Sequence, residues 1–285
     1  MPYVSNNLYL ELAVADFRHC QEIHQLELLG LKRWLEESWL EKYSVTEKSL
    51  TRAYFLAAAS IFEPRRSGER LGWARTAVLA ESIASFFRCC PCSSEAPRNF
   101  LEVCRWGRKR RFEGLVEPVI DLLAGAPEWR RRMRMPAQRF RQGLRRAWEE
   151  WATRWAEVEE DHGRLVSAEG ATAVLLVRTV ELCAGRIEPK TGLARLEFDR
   201  LAGLLDSICG RLQSCALEGS IIEKMIELEM QELVKCVLES SSKGLNRETK
   251  QTFLAIAKSY YYTAYCPIET LNNHISKVLF EPVDQ

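Results

Sequence analysis

Groups able to do chemistry are spread thinly along this 285-residue chain. Cys89, Cys90 and Cys92 flank Pro91, and Cys104 follows nearby. A structural zinc needs four Cys or His ligands at set spacing, and no second pair completes this one. Cys20 and His24 stand four residues apart beside His19, so they share a helix face and could form half a metal site. A core-edge cysteine beside solvated or hydrogen-bonded histidines is the simpler expectation. Glu149 and Glu150 are neighbours and point different ways, which argues against acid–base work by the pair. The six aspartates are Asp16, Asp121, Asp161, Asp199, Asp206 and Asp284, and no two are closer than Asp199 and Asp206. Ten cysteines, most on apolar helical stripes, read as small hydrophobes in a reducing compartment rather than a disulfide framework.

The strongest charge feature is basic. From Arg105 to Arg146 thirteen Lys and Arg face four acids (Glu113, Glu117, Asp121, Glu128), a surplus of nine in a chain of net charge +1. Trp106, Trp129 and Phe140 are interleaved. Cations on phosphates and aromatics stacked on bases would suit RNA. No recognised nucleic-acid module accompanies them. A basic face holding a diphosphate, or solvated arginine, is the preferred reading.

These groups must be carried by helices. With 47 % apolar residues the chain can bury a core. No run of about 18 apolar residues exists, so no spanning helix is expected. The first residues, MPYVSNNLYLELAVADF, show neither a signal-peptide core nor a transit segment. That abrupt start gives the expectation of a fragment or truncated product. Residues 6–41 read as one helix, or two joined near Gly30, burying Leu10, Leu12, Ala13, Phe17, Cys20, Ile23, Leu26 and Leu29. Thr51–Cys90 reads as a helical hairpin. Its first arm carries Leu50, Ala53, Tyr54, Ala57, Ala58 and Ile61. Pro64 ends that arm, Ser67-Gly68 completes the turn, and the second arm carries Leu71, Ala74, Val78, Leu79, Ser82, Ile83, Phe86 and Phe87. A helix is expected to restart over 100–106. Further helices are expected near 138–161, with Trp148, Trp151 and Trp155 in the core, and near 169–184, 194–215, 219–239, 247–264 and 268–280. The last should bury Leu271, Ile275, Val278 and Leu279. No alternating strand pattern or repeat interrupts them, so the expected fold is all-α.

Six stretches together resemble the C-terminal helical domain of plant class II diterpene cyclases, of ent-copalyl diphosphate synthase type. They are Asn6 to Phe17, Ala53 to Leu79, Gly143 to Trp151, Leu175 to Arg186, Lys250 to Cys266 and Glu269 to Val283. The resemblance implies a terpene synthase-type helical bundle, with residues 1–285 as a single C-terminal α domain and the two N-terminal cyclase domains absent. It further implies a plastid enzyme of diterpenoid and gibberellin biosynthesis that uses Mg²⁺ and cyclises geranylgeranyl diphosphate to copalyl diphosphate. In such enzymes a DxDD motif protonates the alkene, which requires a carboxylic acid held protonated in dry surroundings. The spacing of the six aspartates excludes that motif here.

The related class I chemistry ionises the diphosphate inside this same domain. Its DDxxD carboxylates direct oxygens at Mg²⁺. Matched through Ala77-Val78-Leu79, the three positions fall on Ala84, Ser85 and Arg88. The second metal motif falls on Asp206, Gly210 and Ser214, of which only Asp206 keeps a ligand. The resemblance therefore implies no catalytic and no metal residue in this chain, and no strong Mg²⁺ binding. It implies a scaffold that packs against the cyclase domains and is inactive alone. A freestanding helical protein-interaction module is the alternative, with a class I synthase or a basic RNA-binding module behind it. No membrane partner is expected.

Overall fold

The computed structural model describes residues 7–38, 46–89, 119–121, 123–124, 136–158, 168–186, 192–214, 220–239 and 244–282. Nine α-helices account for most of them: α1 (Asn7–Ser38), α2 (Glu47–Ser60), α3 (Ser67–Cys89), α4 (Ala137–Val158), α5 (Ala168–Cys183), α6 (Gly192–Ser214), α7 (Ser220–Leu238), α8 (Arg247–Tyr265) and α9 (Ile268–Leu279). No strand occurs among the described residues. The fold is all-α, as the periodicity required.

Local chemistry sets the hairpin. Thr46 caps α2: its Oγ1 accepts from the Ser49 amide at 3.1 Å, while Ser49 Oγ accepts from the Thr46 amide at 3.1 Å. The helix ends at Ile61. Pro64 then opens a 3₁₀ turn, Pro64–Arg66, a position where its missing N–H costs nothing. Ser67 and Gly68 were expected to complete the turn. They are instead the first residues of α3, because the 3₁₀ turn has already reversed the chain.

Helix α5 is the partition of the bundle. It packs on α3, α4, α6 and α8. Ala171, Leu175 and Cys183 belong to one core, shared with α1, α2, α3, α4 and α9. Ala173, Val174, Leu176, Val177 and Val180 belong to a second, shared with α6, α7 and α8. A helix apolar on all sides has to be interior. Trp148 and Trp151 of α4 are buried edge to face, centroids 5.3 Å apart, in the first core. Trp155 lies on α4, its side chain outside the described ones. The expected segment over 100–106 and most of the basic stretch are also outside the described residues.

Helix α1 corrects the burial expected of it. It is one uninterrupted helix through Gly30. Its inner face carries Gln21, Glu27, Leu28, Leu31, Trp34 and Leu35. Leu10 is 67 % exposed, Leu12 66 %, Leu26 69 % and Leu29 46 %, although all four were expected inside. Ala13 is exposed, and Phe17, Cys20 and Ile23 are half-buried. At about 100° per residue, Leu26 and Leu29 fall opposite the inner face, whereas Leu10 shares the azimuth of buried Leu28 and is exposed because the first turns of α1 are exposed all round. The inner face seats itself by polar contacts. Gln21 Nε2 donates to the Val278 and Glu281 carbonyls at 3.1 and 2.9 Å, and Gln25 Nε2 to Leu279 O at 2.7 Å. These close the carbonyl end of α9. On α9, Leu271, Ile275 and Leu279 are buried as expected, but Val278 is exposed.

Candidate functional site

Helices α3 and α5 run in opposite directions. Glu69, at the start of α3, lies 3.7 Å from Arg186, just past the end of α5. The end of α3 therefore shares the other pole with the start of α5. At that pole fall the positions where the resemblance would put metal ligands. Ala84, Ser85 and Arg88 are helical residues in the last turns of α3. Asp206 and Gly210 lie in the second half of α6, and Ser214 is its last residue.

The Asp206 carboxyl is pressed against the first turn of α5. A Cβ built on Gly170 would stand 1.9 Å from Asp206 Oδ1 and 2.8 Å from its backbone oxygen. Only glycine admits that approach. Burial pushes the Asp206 pKa up, and the charge of Arg154 pulls it part of the way back. Oδ1 has no hydrogen-bond partner, nor has Glu169 Oε2 nearby. Tyr260 of α8 is here too. Burial raises its pKa well above the usual phenol range, helped by Cys209, Glu169 and Glu81. Gly210 has no side chain to offer a ligand atom, and beside it Arg211 holds Glu229 of α7 at 3.1 Å. Glu229 also accepts from Ser207 Oγ at 2.8 Å.

These residues do not fit Mg²⁺. A magnesium ion needs several hard oxygens in an octahedral shell. Among the described residues no three His, Cys, Asp or Glu side chains converge to hold an ion. Asp206 brings one carboxylate, and it faces a helix start. Sequence reasoning singled out Asp206 but missed Glu81 and Glu169, and took Tyr260 only as part of an aromatic-rich wall over 260–265. Their neighbourhood is created by packing between α3, α5 and α8, which no spacing within one helix reveals.

The opposite pole is rich in ion pairs. Arg70 is fully buried and forks onto Glu27, Nε to Oε2 at 2.9 Å and Nη2 to Oε1 at 2.6 Å. The Tyr54 hydroxyl donates to the same carboxylate at 2.9 Å and lies 2.8 Å from His24 Nδ1. Burial, then the Arg70 charge, pushes the His24 pKa down. His24 is thus a hydrogen-bonded core-edge histidine, and Cys20 beside it is a half-buried free thiol. Glu181 accepts from Arg186 at 2.7 and 2.8 Å and from Thr249 and Thr252 at 2.5 and 3.1 Å. Glu150 accepts from Arg178 at 2.8 Å, so it is an ion-pair partner, not an acid or base. Cys183, Cys209 and Cys236 are buried free thiols. Cys89 closes α3; Cys90, Cys92 and Cys104 lie outside the described residues.

Comparison with known proteins places these features. No family model matches the chain. An ent-copalyl diphosphate synthase 2 from Oryza sativa subsp. indica is 40 % identical over 311 residues, covering 100 % of this chain and 36 % of that protein. A copal-8-ol diphosphate hydratase, chloroplastic, from Cistus creticus subsp. creticus is 36 % identical, covering 99 % and 35 % respectively. Among solved structures, abietadiene synthase from Abies grandis superposes with a TM-score of 0.63 at 19 % identity, over 100 % of this chain and 43 % of that one. The last likeness shows the fold: a terpene synthase-type helical bundle. The chain spans about a third of the length of the curated relatives it matches.

Proposed function

This chain is a homologue, over its whole length, of the plant copalyl diphosphate synthases, and we propose that it acts as the C-terminal helical domain of a class II diterpene cyclase, a support with no chemistry of its own. In this reading geranylgeranyl diphosphate is protonated and cyclised to copalyl diphosphate in cyclase domains that lie outside these 285 residues, where Mg²⁺ also acts. The name "chloroplastic" borne by several relatives supports a plastid setting.

The observation that carries the proposal is the outer face of α1. Leu8, Leu12, Leu26 and Leu29 are 72 %, 66 %, 69 % and 46 % exposed. Leu26 and Leu29 lie on the side of α1 that faces away from the bundle, and around Leu8 and Leu12 the helix is exposed all round, Tyr9 and Leu10 included. Exposed apolar groups of this size mark an interaction site, and the cyclase domains are the partner the family supplies. The chemistry agrees. An alkene-protonating acid must sit in a dry cavity beside its substrate. Asp206 is a carboxyl with a raised pKa, but it packs on the backbone of α5.

The test is assembly in trans. The chain is mixed with the N-terminal two-thirds of the Oryza relative, and complex formation is followed by size-exclusion chromatography. A complex that Leu12→Glu with Leu26→Glu abolishes, while leaving the helical signal of the chain unchanged, supports the proposal. Absence of a complex with the unmodified chain refutes it. Self-association through the same face would favour the freestanding interaction module instead.

A further inference from the structure

At the pole opposite Asp206 a cleft of about 570 Å³ opens between α4, the end of α5 and the starts of α6 and α8. We propose that this cleft binds a small anion bearing a phosphate or diphosphate group. It is separate from the α1 face, and its test does not depend on the domain reading.

Four arginines line it: Arg146 from α4, Arg178 from α5, Arg186 past the end of α5 and Arg195 from α6. Two glutamates, Glu150 and Glu181, line it too. Arg178, Arg186 and Arg195 each face a carboxylate, so the charge that the walls leave uncompensated is that of Arg146. Both glutamates are engaged. Glu181 receives four hydrogen bonds, from Arg186, Thr249 and Thr252. Glu150 is held by Arg178 at 2.8 Å and Arg154 at 3.7 Å. Behind the walls, Glu69 and Glu248 also face Arg186, and Asp199 pairs with Arg195 one turn along α6 at 3.0 Å. Arg146 makes no ion pair or hydrogen bond with any described residue and is exposed to solvent. Two helix starts, of α6 and α8, adjoin the same space. Helix starts favour negative charge.

The arrangement suits a tetrahedral anion better than a carboxylate. Its guanidiniums come from different walls. A phosphate can accept from several directions, whereas a planar carboxylate accepts in one plane. Arg178 is 8 % exposed, and its guanidinium lies over the Phe198 ring at 5.5 Å. It is therefore fixed in place before any ligand arrives. Phe198, Leu182 and Leu245 give the cleft an apolar side, so an anionic head with a short apolar body fits as well as the free anion. The basic surplus noted between Arg105 and Arg146 thus gains a structural use at one of its members, Arg146.

The test is thermal melting and calorimetric titration of the full chain with inorganic diphosphate. Magnesium is left out, and sodium chloride of equal ionic strength serves as control. The melting temperature is expected to rise with diphosphate, and Arg146→Gln with Arg195→Gln is expected to lower affinity by about tenfold or more. Both side chains are on the rim, so the unliganded melt of that variant is expected to match wild type. If it does not, Arg146→Gln alone is titrated below the transition. Geranyl diphosphate forms the second arm. Tighter binding than diphosphate makes the ligand a prenyl-type head group, and equal binding makes it the free anion. No rise above the salt control, or an equal rise in the double variant, overturns the proposal.

Discussion

Replacing Arg70 with methionine strikes the charge network that ties α1, α2 and α3 together. Arg70 has no exposed surface and Glu27 is 7 % exposed. Besides its fork onto Glu27, the guanidinium holds the carbonyls of Ile61 at 3.0 Å, Glu63 at 2.6 Å and Pro64 at 3.2 Å. Methionine fills the slot but brings no donor. Glu27 then keeps the Tyr54 hydroxyl and loses its countercharge. Removing one partner of a buried pair costs about 3–5 kcal/mol. The carbonyls of exposed Glu63 and Pro64 regain water, so they add little, while that of buried Ile61 loses its donor and adds about 1–3 kcal/mol. In urea unfolding followed by circular dichroism, the midpoint is expected to fall by the sum of these costs at unchanged slope. Glu27→Leu combined with Arg70→Met leaves no lone carboxylate, so the pair is expected to be less costly than the sum of the singles by about 0.5–3 kcal/mol.

The same pair has an acid signature. Burial alone would raise the Glu27 pKa. The hydrogen bond and charge of Arg70, with Ser67 and Tyr54, outweigh burial and hold it below its ordinary value of 4.5. A carboxyl depressed in the folded state stabilises fully above its unfolded pKa, and that contribution is lost as pH falls through the folded value. Wild type is therefore expected to lose this contribution as pH falls below about 4.5, whereas in Arg70→Met burial is left to raise the Glu27 pKa, so that variant is expected to regain part of its deficit as the carboxyl protonates and the gap to wild type narrows in acid. An Arg70→Met midpoint within about 0.5 kcal/mol of wild type would refute the reasoning. So would strict additivity in the double variant.

Two further outcomes follow from the Asp206 pole. Gly170→Ala is expected to destabilise by about 1–3 kcal/mol because its Cβ meets Asp206 at 1.9 Å. Gly203→Ala, which meets nothing within 4 Å, is expected to stabilise by about 0.5–1 kcal/mol; equal signs in chemical denaturation would contradict the packing described. Millimolar Mg²⁺ alone is expected to leave the melting temperature unchanged, since the ligand positions carry Ala84, Ser85, Arg88 and Gly210; a rise of several degrees would show a site that these residues do not provide.

The helices were legible because their apolar spacing, prolines and glycines act locally. Pro64 marks the hairpin turn from sequence alone, although the turn's width came out shorter than Ser67-Gly68 suggested. What was illegible depends on partners far along the chain. Arg70 and Arg75 are fully buried, yet nothing near them in sequence announces it, since the Glu27 that receives Arg70 lies 43 residues away. On α1 the expected stripe crosses from one side of the helix to the other: Phe17, Cys20 and Ile23 are half-buried, while Leu12, Leu26 and Leu29 are exposed. Periodicity reports that a face is apolar, not which neighbour covers it. The substitutions at Ala84, Ser85 and Arg88 were legible once the resemblance supplied a register. The cleft beside Arg146 was not, because its walls come from four separate helices.

The central claim is tested most directly by incubating the purified chain with geranylgeranyl diphosphate and Mg²⁺, treating with phosphatase and analysing the extract by gas chromatography. Geranylgeraniol alone, with neither copalol nor a hydrocarbon, is the result expected of a supporting domain. Copalol would contradict the account by revealing a protonating acid within these residues, and a hydrocarbon would contradict it by showing that the diphosphate ionises without the missing aspartates.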